Sequence, residues 1–170
     1  NGLTFIANLY EGQKTGLFLD QRENRQTVRT LAKDKTVLNL FSYNGGFSVY
    51  ALAGGATHVT SVDIANAANK DAERNVKLNG FEESSHEALT ADVFEMLESY
   101  NKTRKTFDMV ILDPPSLAKD KKNRYGAIRA YKKLNVQAVK CVKPGGLLVS
   151  SSCTSQVSGA DFKEMLKEAA

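Results

Sequence analysis

The sequence predicts a doubly wound, mostly parallel α/β sheet, and three observations predict it. Apolar, strand-like runs alternate with helix-compatible segments through short loops along nearly the whole chain. The stretch Thr36–Ser48 (TVLNLFSYNGGFS) runs from a buried strand through a glycine turn into a helix start. Asp63 then closes the next strand, about 20 residues beyond those glycines, as in nucleotide-binding sheets of this class.

Length and composition narrow the setting. With 170 residues, 42% of them hydrophobic, the chain can bury a core of its own. No apolar run approaches the ~20 residues that cross a bilayer, and the N-terminus lacks a signal-peptide pattern, so no membrane partner is expected. Two cysteines, Cys141 and Cys153, are too few for a disulfide framework. With two histidines and no Cys-x-x-Cys pair, they also predict no metal site. A reducing cytoplasm is the expected location. The net charge of +4 and pI of about 9.0 permit a nucleic-acid partner without requiring one.

Taken in order, residues 1–20 form a separate N-terminal hairpin or linker and residues 21–170 the main domain. Two alternating stretches, Leu3–Leu9 and Leu17–Leu19, flank the polar, glycine-bounded segment Glu11–Gly16, which predicts a β-hairpin. The chain opens in mid-pattern and is expected to be part of a longer protein. Asp20 is placed to cap a helix over Gln21–Ala32, with Arg22, Arg25 and Arg29 on a solvated basic face. In the first strand, Val37, Leu38, Leu40 and Phe41 make the near-continuous apolar run of a strand covered on both faces. Gly45 and Gly46 let the backbone turn sharply and approach a ligand, and Phe47–Ala53 continues as a helix with free N–H groups at its start.

A second strand over Thr57–Ile64 leads through Asp63 into a helix over Ala65–Leu78, ended by Asn79-Gly80. Asp63 fits either a ribose contact or a helix cap. A third strand, His86–Thr90, leads to Asp92-Val93 and a short helix carrying Met96 and Leu97; Asp92 could cap that helix or accept from an adenine amino group. The fourth strand, Thr106–Leu112, must stop at Asp113-Pro114-Pro115-Ser116, because proline cannot continue a central strand. That leaves the Asp113 carboxylate at the carboxyl edge of the sheet.

The basic segment Lys119–Tyr125 reads as a loop over the pocket. A long helix over Gly126–Val142 follows, with Arg129, Lys132 and Lys133 on its wet side, a cluster suited to phosphate contacts. Lys143-Pro144-Gly145-Gly146 is expected as a tight turn, Leu147–Ser152 as the fifth strand ending at Cys153, and Asp161–Ala170 as a last amphipathic helix. The strands that usually complete such a sheet after this helix lie outside the sequence.

The sheet alone does not separate hydride transfer from methyl transfer. The turn Ser42-Tyr43-Asn44-Gly45-Gly46-Phe47 lacks the G-x-G-x-x-G pattern through which a pyrophosphate approaches a helix N-terminus. S-adenosylmethionine carries no pyrophosphate. It needs room for its methionine tail, an acid for the ribose and an open edge near its sulfonium methyl. Asn39–Phe47, Asp63, Asp92 and Asp113 meet these needs in order along one sheet edge.

Several adjacent motifs resemble the bacterial large-subunit ribosomal RNA cytosine-C5 methyltransferases. They are Gly12–Arg22 (GQKTGLFLDQR), Leu38–Tyr43 with Gly45–Ser48, Ser61-Val62-Asp63, Leu112–Pro115 and Ser151-Ser152-Cys153. The resemblance implies a Rossmann-like, class I, S-adenosylmethionine-dependent RNA methyltransferase producing S-adenosylhomocysteine, with ribosomal RNA as partner, an RNA-binding PUA domain upstream and possible homodimerisation. It also implies cofactor contacts from Gln21, Arg22, Asn39, Phe41, Ser42, Tyr43, Gly45, Gly46, Phe47, Asp63, Ile64, Asp92, Val93, Asp113 and Pro114. Members usually carry threonine where this chain has Asn44.

Carbon 5 of cytosine becomes nucleophilic once a thiolate adds to carbon 6, so this chemistry calls for a cysteine with a lowered pKa. Cys153, at a strand end on the same edge as Asp113, is the expected nucleophile, with Asp113 hydrogen-bonding the base near N3 and N4. Cys141, inside a helix between valines, is expected to be core. Three other readings stay open: a guanine-N7 methyltransferase of the same fold, a nicotinamide-dependent oxidoreductase, and a non-catalytic RNA-binding module.

Overall fold

A computed structural model describes residues 2–6, 16–117, 124–154 and 156–169. The fold is the expected α/β class with five parallel strands. The chain divides into two compact units, Asn1–Val93 and Phe94–Ala170.

In the first unit the strands are β1 (Thr36–Leu40), β2 (His58–Asp63) and β3 (His86–Thr90), in spatial order β3-β2-β1. β1 pairs with β2 from Thr36–His58 to Leu40–Val62, and β2 with β3 from Val59–His86 to Asp63–Thr90. Val37, Leu38 and Leu40 of β1 and Val59 and Val62 of β2 are fully buried, as expected of strands covered on both faces. The helices are α1 (Arg22–Leu31), α2 (Gly46–Ala53) and α3 (Asn66–Leu78). α2 is buried along nearly its whole length and packs against α1.

The second unit contains α4 (Val93–Thr103, which begins on the last residue of the first unit), β4 (Phe107–Leu112), α5 (Arg124–Val139), β5 (Val142–Ser150) and α6 (Gly159–Ala169). Met109, Val110, Ile111 and Leu112 of β4 are fully buried. Ala127 and Tyr131 of α5 pack with Val157 and with Met165 of α6, and the Tyr131 and Phe162 rings meet edge to face at 6.0 Å.

Several sequence expectations are corrected. Leu17–Leu19, the expected second hairpin arm, forms no strand: Leu19 enters a 3-10 turn over Leu19–Gln21. Residues 7–15, the remainder of that hairpin, lie outside the described residues. Asp20 sits within that turn, and the N-cap of α1 is Gln21, which makes no side-chain capping bond.

Arg25 leaves the solvated face assigned to it. It is buried, donates from Nη2 to the Phe18 carbonyl at 2.9 Å and lies 5.8 Å over the Tyr50 ring. α5 starts at Arg124, so the end of the predicted basic loop is helical; residues 119–123 of that loop lie outside the described residues. β5 begins at Val142 rather than Leu147. The expected turn Lys143–Gly146 is absorbed into the strand as an irregularity opposite Phe107 and Met109, with Gly145 at φ +75°. Gly146 has no room for a side chain there, since a Cβ would come within 2.8 Å of the Asp108 carbonyl.

Candidate active site

The first unit gathers most of the predicted cofactor residues at the carboxyl ends of β1 and β2. Between β1 and α2 the chain folds through Phe41–Gly45, and three of these five residues have positive φ: Phe41 at +57°, Tyr43 at +48° and Gly45 at +75°. For Phe41 and Tyr43 this left-handed geometry costs about 1 kcal/mol or more each, so the surroundings must hold it.

They do so with several hydrogen bonds. Ser42 N donates to Val62 O at 3.0 Å, Gly45 N to Ser42 O at 2.9 Å and Tyr43 N to Asp63 Oδ2 at 2.9 Å. Asn44 Nδ2 donates to Gly16 O at 2.7 Å, and the Asn44 carbonyl accepts from Asn75 Nδ2 at 2.8 Å. The Tyr43 ring meets Phe18 edge-on at 5.5 Å.

Gly45 and Gly46 are also tightly packed, which the sequence does not reveal. A Cβ on Gly45 would come within 2.8 Å of Ala72 Cβ on α3, and one on Gly46 within 3.3 Å of Arg25 Nη1. The glycines let the neighbouring helices close on the turn, and Gly45 also supplies the left-handed N-cap of α2.

Asp63 does not cap α3; its carboxylate holds two backbone amides. Its Oδ2 holds the Tyr43 amide, and Oδ1 accepts from Ala65 N at 2.9 Å in a local turn. The N-cap of α3 is Ala65, without a side-chain cap. A carboxylate has about four acceptor positions, so Asp63 keeps capacity for two hydroxyl donors. Next to it, Ile64 is 70% exposed, an unusual exposure for isoleucine at the end of a buried strand. The Ser42 Oγ is buried with no hydrogen-bond partner among the described residues. These features fit an adenosine-type ligand with a polar tail. Phe47 is buried in α2, and Asp92 and the buried Val93 stand at the start of α4. Gln21 accepts from Asn24 Nδ2 at 2.6 Å at the head of α1, and the exposed Arg22 lies 3.8 Å from Glu23.

Asn39 is drawn beneath the turn into a polar chain that the sequence reading missed. Its Nδ2 donates to Ser48 Oγ at 2.8 Å, Ser48 Oγ lies 2.7 Å from Ser61 Oγ, and Ser61 Oγ lies 2.8 Å from His86 Nε2. The two hydroxyls thus link the donating Asn39 amide to His86 Nε2. Burial, reinforced by His58, lowers the His86 pKa from 6.5 to about 4. The folded value lies below the unfolded one, so the unfolded chain binds the extra proton first. Stability is therefore expected to fall as pH drops from 6.5 towards 4, by about 2 kcal/mol. Urea unfolding across that range checks this, and His86→Gln should flatten the slope.

The second unit carries the predicted thiol and its neighbours. The β4–β5 ladder continues one step past the strands, with Ser151 N donating to Leu112 O at 2.9 Å. This sets Asp113-Pro114 beside Ser151–Cys153. Cys153 is exposed, and its Sγ lies 3.7 Å from the Pro114 carbonyl oxygen. Asp113 is half-buried and Pro114 buried. Tyr131 is fully buried with its hydroxyl near Ser152 and the Leu117 backbone. Burial raises its pKa, and the acidic groups of Cys153 and Asp113 push the same way, so the phenol stays protonated. Cys141 is buried as expected; burial pushes its pKa up to about 11, and its Sγ lies 3.4 Å from Asn101 Oδ1.

Lys132 of the predicted basic face pairs with Glu168 at 2.6 Å, while Arg129 and Lys133 are exposed. Among the described residues no cluster of metal-ligating side chains occurs, and no helix is long and apolar enough to cross a membrane.

A family model described as S-adenosylmethionine-dependent methyltransferase matches residues 1–170. The chain is 50% identical over 169 residues to a protein of Deinococcus radiodurans named ribosomal RNA large subunit methyltransferase, covering 99% of this chain and 41% of that protein. It is 42% identical over 170 residues to ribosomal RNA large subunit methyltransferase I of Aliivibrio fischeri, covering 100% of this chain and 43% of that one. The chain thus spans less than half the length of the curated relatives it matches. Among solved structures, SMU.776 complexed with SAH superposes with a TM-score of 0.89 at 33% identity, over 99% of this chain and 44% of the other.

Proposed function

The chain belongs to the S-adenosylmethionine-dependent methyltransferase family, and on that premise we propose that it methylates carbon 5 of a cytosine in large-subunit ribosomal RNA through a covalent adduct with Cys153. The observation that carries this reading is the exposed Cys153 thiol beside Asp113-Pro114 at the ends of β5 and β4. The names of the relatives support ribosomal RNA as the substrate class.

S-adenosylmethionine, when bound, supplies an electrophilic methyl group on sulfur. Asp63 would receive ribose hydroxyls on its remaining acceptor positions, Ile64 would cover the adenine, and Asp92 with Val93 would meet its edge. Ser42 and the start of α2 face the polar tail. Phe41, Tyr43, Gly45, Gly46 and Phe47 shape the turn, which Asn39 supports from beneath. Gln21 and Arg22 would complete the first unit's cofactor contacts.

Cys153, as thiolate, adds to C6 of the cytosine, and Asp113 binds the base near N3 and N4 while charge moves onto the ring. C5 then takes the methyl as the carbon–sulfur bond of the donor breaks. Loss of the C5 proton restores the double bond and expels the Cys153 thiolate.

The test is to incubate the full-length protein with unmodified ribosomal RNA and labelled cofactor, then digest the RNA and identify the nucleoside. 5-Methylcytidine is expected. 7-Methylguanosine would overturn the cytosine reading, and absence of any transfer would overturn the enzymatic one.

A further inference from the structure

The turn between β1 and α2 is braced from outside the parallel sheet. Residues 2–6 lie along α3 and form no strand of their own. Two asparagines one helical turn apart receive their backbone in place of a neighbouring strand. Asn79 Oδ1 accepts from Thr4 N at 2.9 Å while its Nδ2 donates to Thr4 O at 2.8 Å, the two-way exchange of a β pair. Asn75 Oδ1 accepts from Ile6 N at 2.8 Å, but its Nδ2 turns the other way and donates to the Asn44 carbonyl at 2.8 Å. Asn75 is fully buried. The Phe5 ring stacks on Tyr50 of α2 at 6.1 Å, a second tie from the same segment.

We infer that Asn75 is a positioning residue for the cofactor: a single amide that couples the docking of residues 2–6 to the strained turn and so sets the affinity of the first unit for S-adenosyl ligands. This rests on the reading above that the turn Phe41–Phe47 holds the cofactor.

The physical basis is over-determination. The left-handed Phe41 and Tyr43 flank Ser42, Tyr43 adjoins Asn44, and both keep that geometry only while their neighbours are fixed. Asn44 is fixed at both ends, by Gly16 through its side chain and by Asn75 through its carbonyl. Loss of the Asn75 amide leaves the Asn44 carbonyl free to rotate, and with it the peptide planes that present Ser42 and Asp63. Release of Ile6 removes the partner that orients the same amide, so anything that detaches residues 2–6 reaches the pocket by this path.

The experiment is calorimetric titration with S-adenosylhomocysteine of this chain and its variants Asn75→Ala, Asn75→Asp, Ile6→Pro and Asp63→Ala, each well below its melting temperature. Asn75→Ala is expected to weaken binding about tenfold, the equivalent of one hydrogen bond in a buried site. Asn75→Asp keeps the acceptor for Ile6 but loses the donor for Asn44, and should weaken binding as much. Ile6→Pro, which removes the N–H along with the isoleucine side chain and fixes φ in an exposed segment, should cost a smaller factor, and the double variant Ile6→Pro/Asn75→Ala should bind no more weakly than Asn75→Ala alone.

Amide exchange gives a readout that a general loss of stability would not reproduce. Tyr43 and Gly45 should exchange faster in Asn75→Asp while Val59 in the sheet does not. If Asn75→Ala and Ile6→Pro leave affinity within about twofold while Asp63→Ala weakens it, the coupling is wrong and the cofactor site stands. If Asp63→Ala changes nothing, the site is wrong and the coupling falls with it. Should Asn75→Ala fail to fold, Ile6→Pro and the exchange pattern decide.

Discussion

Replacing Cys153 with alanine is expected to abolish methyl transfer to ribosomal RNA, by at least about 10³-fold, while leaving S-adenosylhomocysteine binding unchanged. The size follows from the proposed chemistry. Without a thiolate on C6, the cytosine ring has no enamine-like carbon to take the methyl, and the one other cysteine of the sequence is Cys141. Cys141 cannot replace it, because it is buried and its pKa is pushed up to about 11. Cys141→Ala serves as the matched control: it removes a thiol from the core, costs about 1 kcal/mol of stability and keeps the activity. Single-turnover methylation of ribosomal RNA with the full-length protein gives the measurement. A Cys153→Ala protein retaining a tenth or more of the wild-type rate (roughly 1.4 kcal/mol of barrier) would end the covalent route. Guanine N7 needs no thiol, so that result would favour its alkylation.

What the sequence revealed and what it concealed divide along a physical line. β1 was legible because burial on both faces leaves an unbroken apolar run, and β4 because prolines 114 and 115 mark its end. The place of Asp63 at the end of β2 could be read from spacing alone, since strand and helix lengths fix the distance from the glycines. Asn75 left no such trace, and Asn79 read only as the stop of its helix; their partners Ile6 and Thr4 lie some 70 positions away in sequence. The burial of Arg25 was hidden in the same way: helical spacing placed it in a row with Arg22 and Arg29, and only the approach of Phe18 and Tyr50 makes its position distinct. The Lys143–Gly146 segment was misread because proline and glycine signal a turn and a β-bulge with the same letters. The glycines of the turn were located correctly, and Gly45 turns the chain in the left-handed region as expected. Their need for space comes from Ala72 and Arg25, which no local pattern reports.

Close helix contact also sets the largest stability effect expected of a one-methyl change. Gly54 ends α2 at φ −86°, a conformation open to any residue, so backbone strain gives no reason for a glycine there. Its surroundings do. A Cβ at that position would lie 2.0 Å from the Arg29 carbonyl oxygen, 2.8 Å from the Arg29 carbonyl carbon and 3.0 Å from its Cα. All three are backbone atoms of α1, so no side-chain rotation relieves the overlap, and the helix itself has to move. α1 is held by the fully buried Val28 and by Arg25 against Phe18, so its displacement disturbs the core of the first unit and the brace behind Gly46 together.

Gly54→Ala is therefore expected to destabilise the protein by more than about 3 kcal/mol. Its neighbour separates this cause from the usual one. Gly55 has φ +88°, and an added Cβ would meet Lys33 only at ordinary contact distance, 3.7 Å. Gly55→Ala should cost backbone strain alone, about 1 kcal/mol. Paired urea-unfolding curves decide the matter: equal midpoints for the two variants would show that α1 can slide freely over α2, and the steric account would fail.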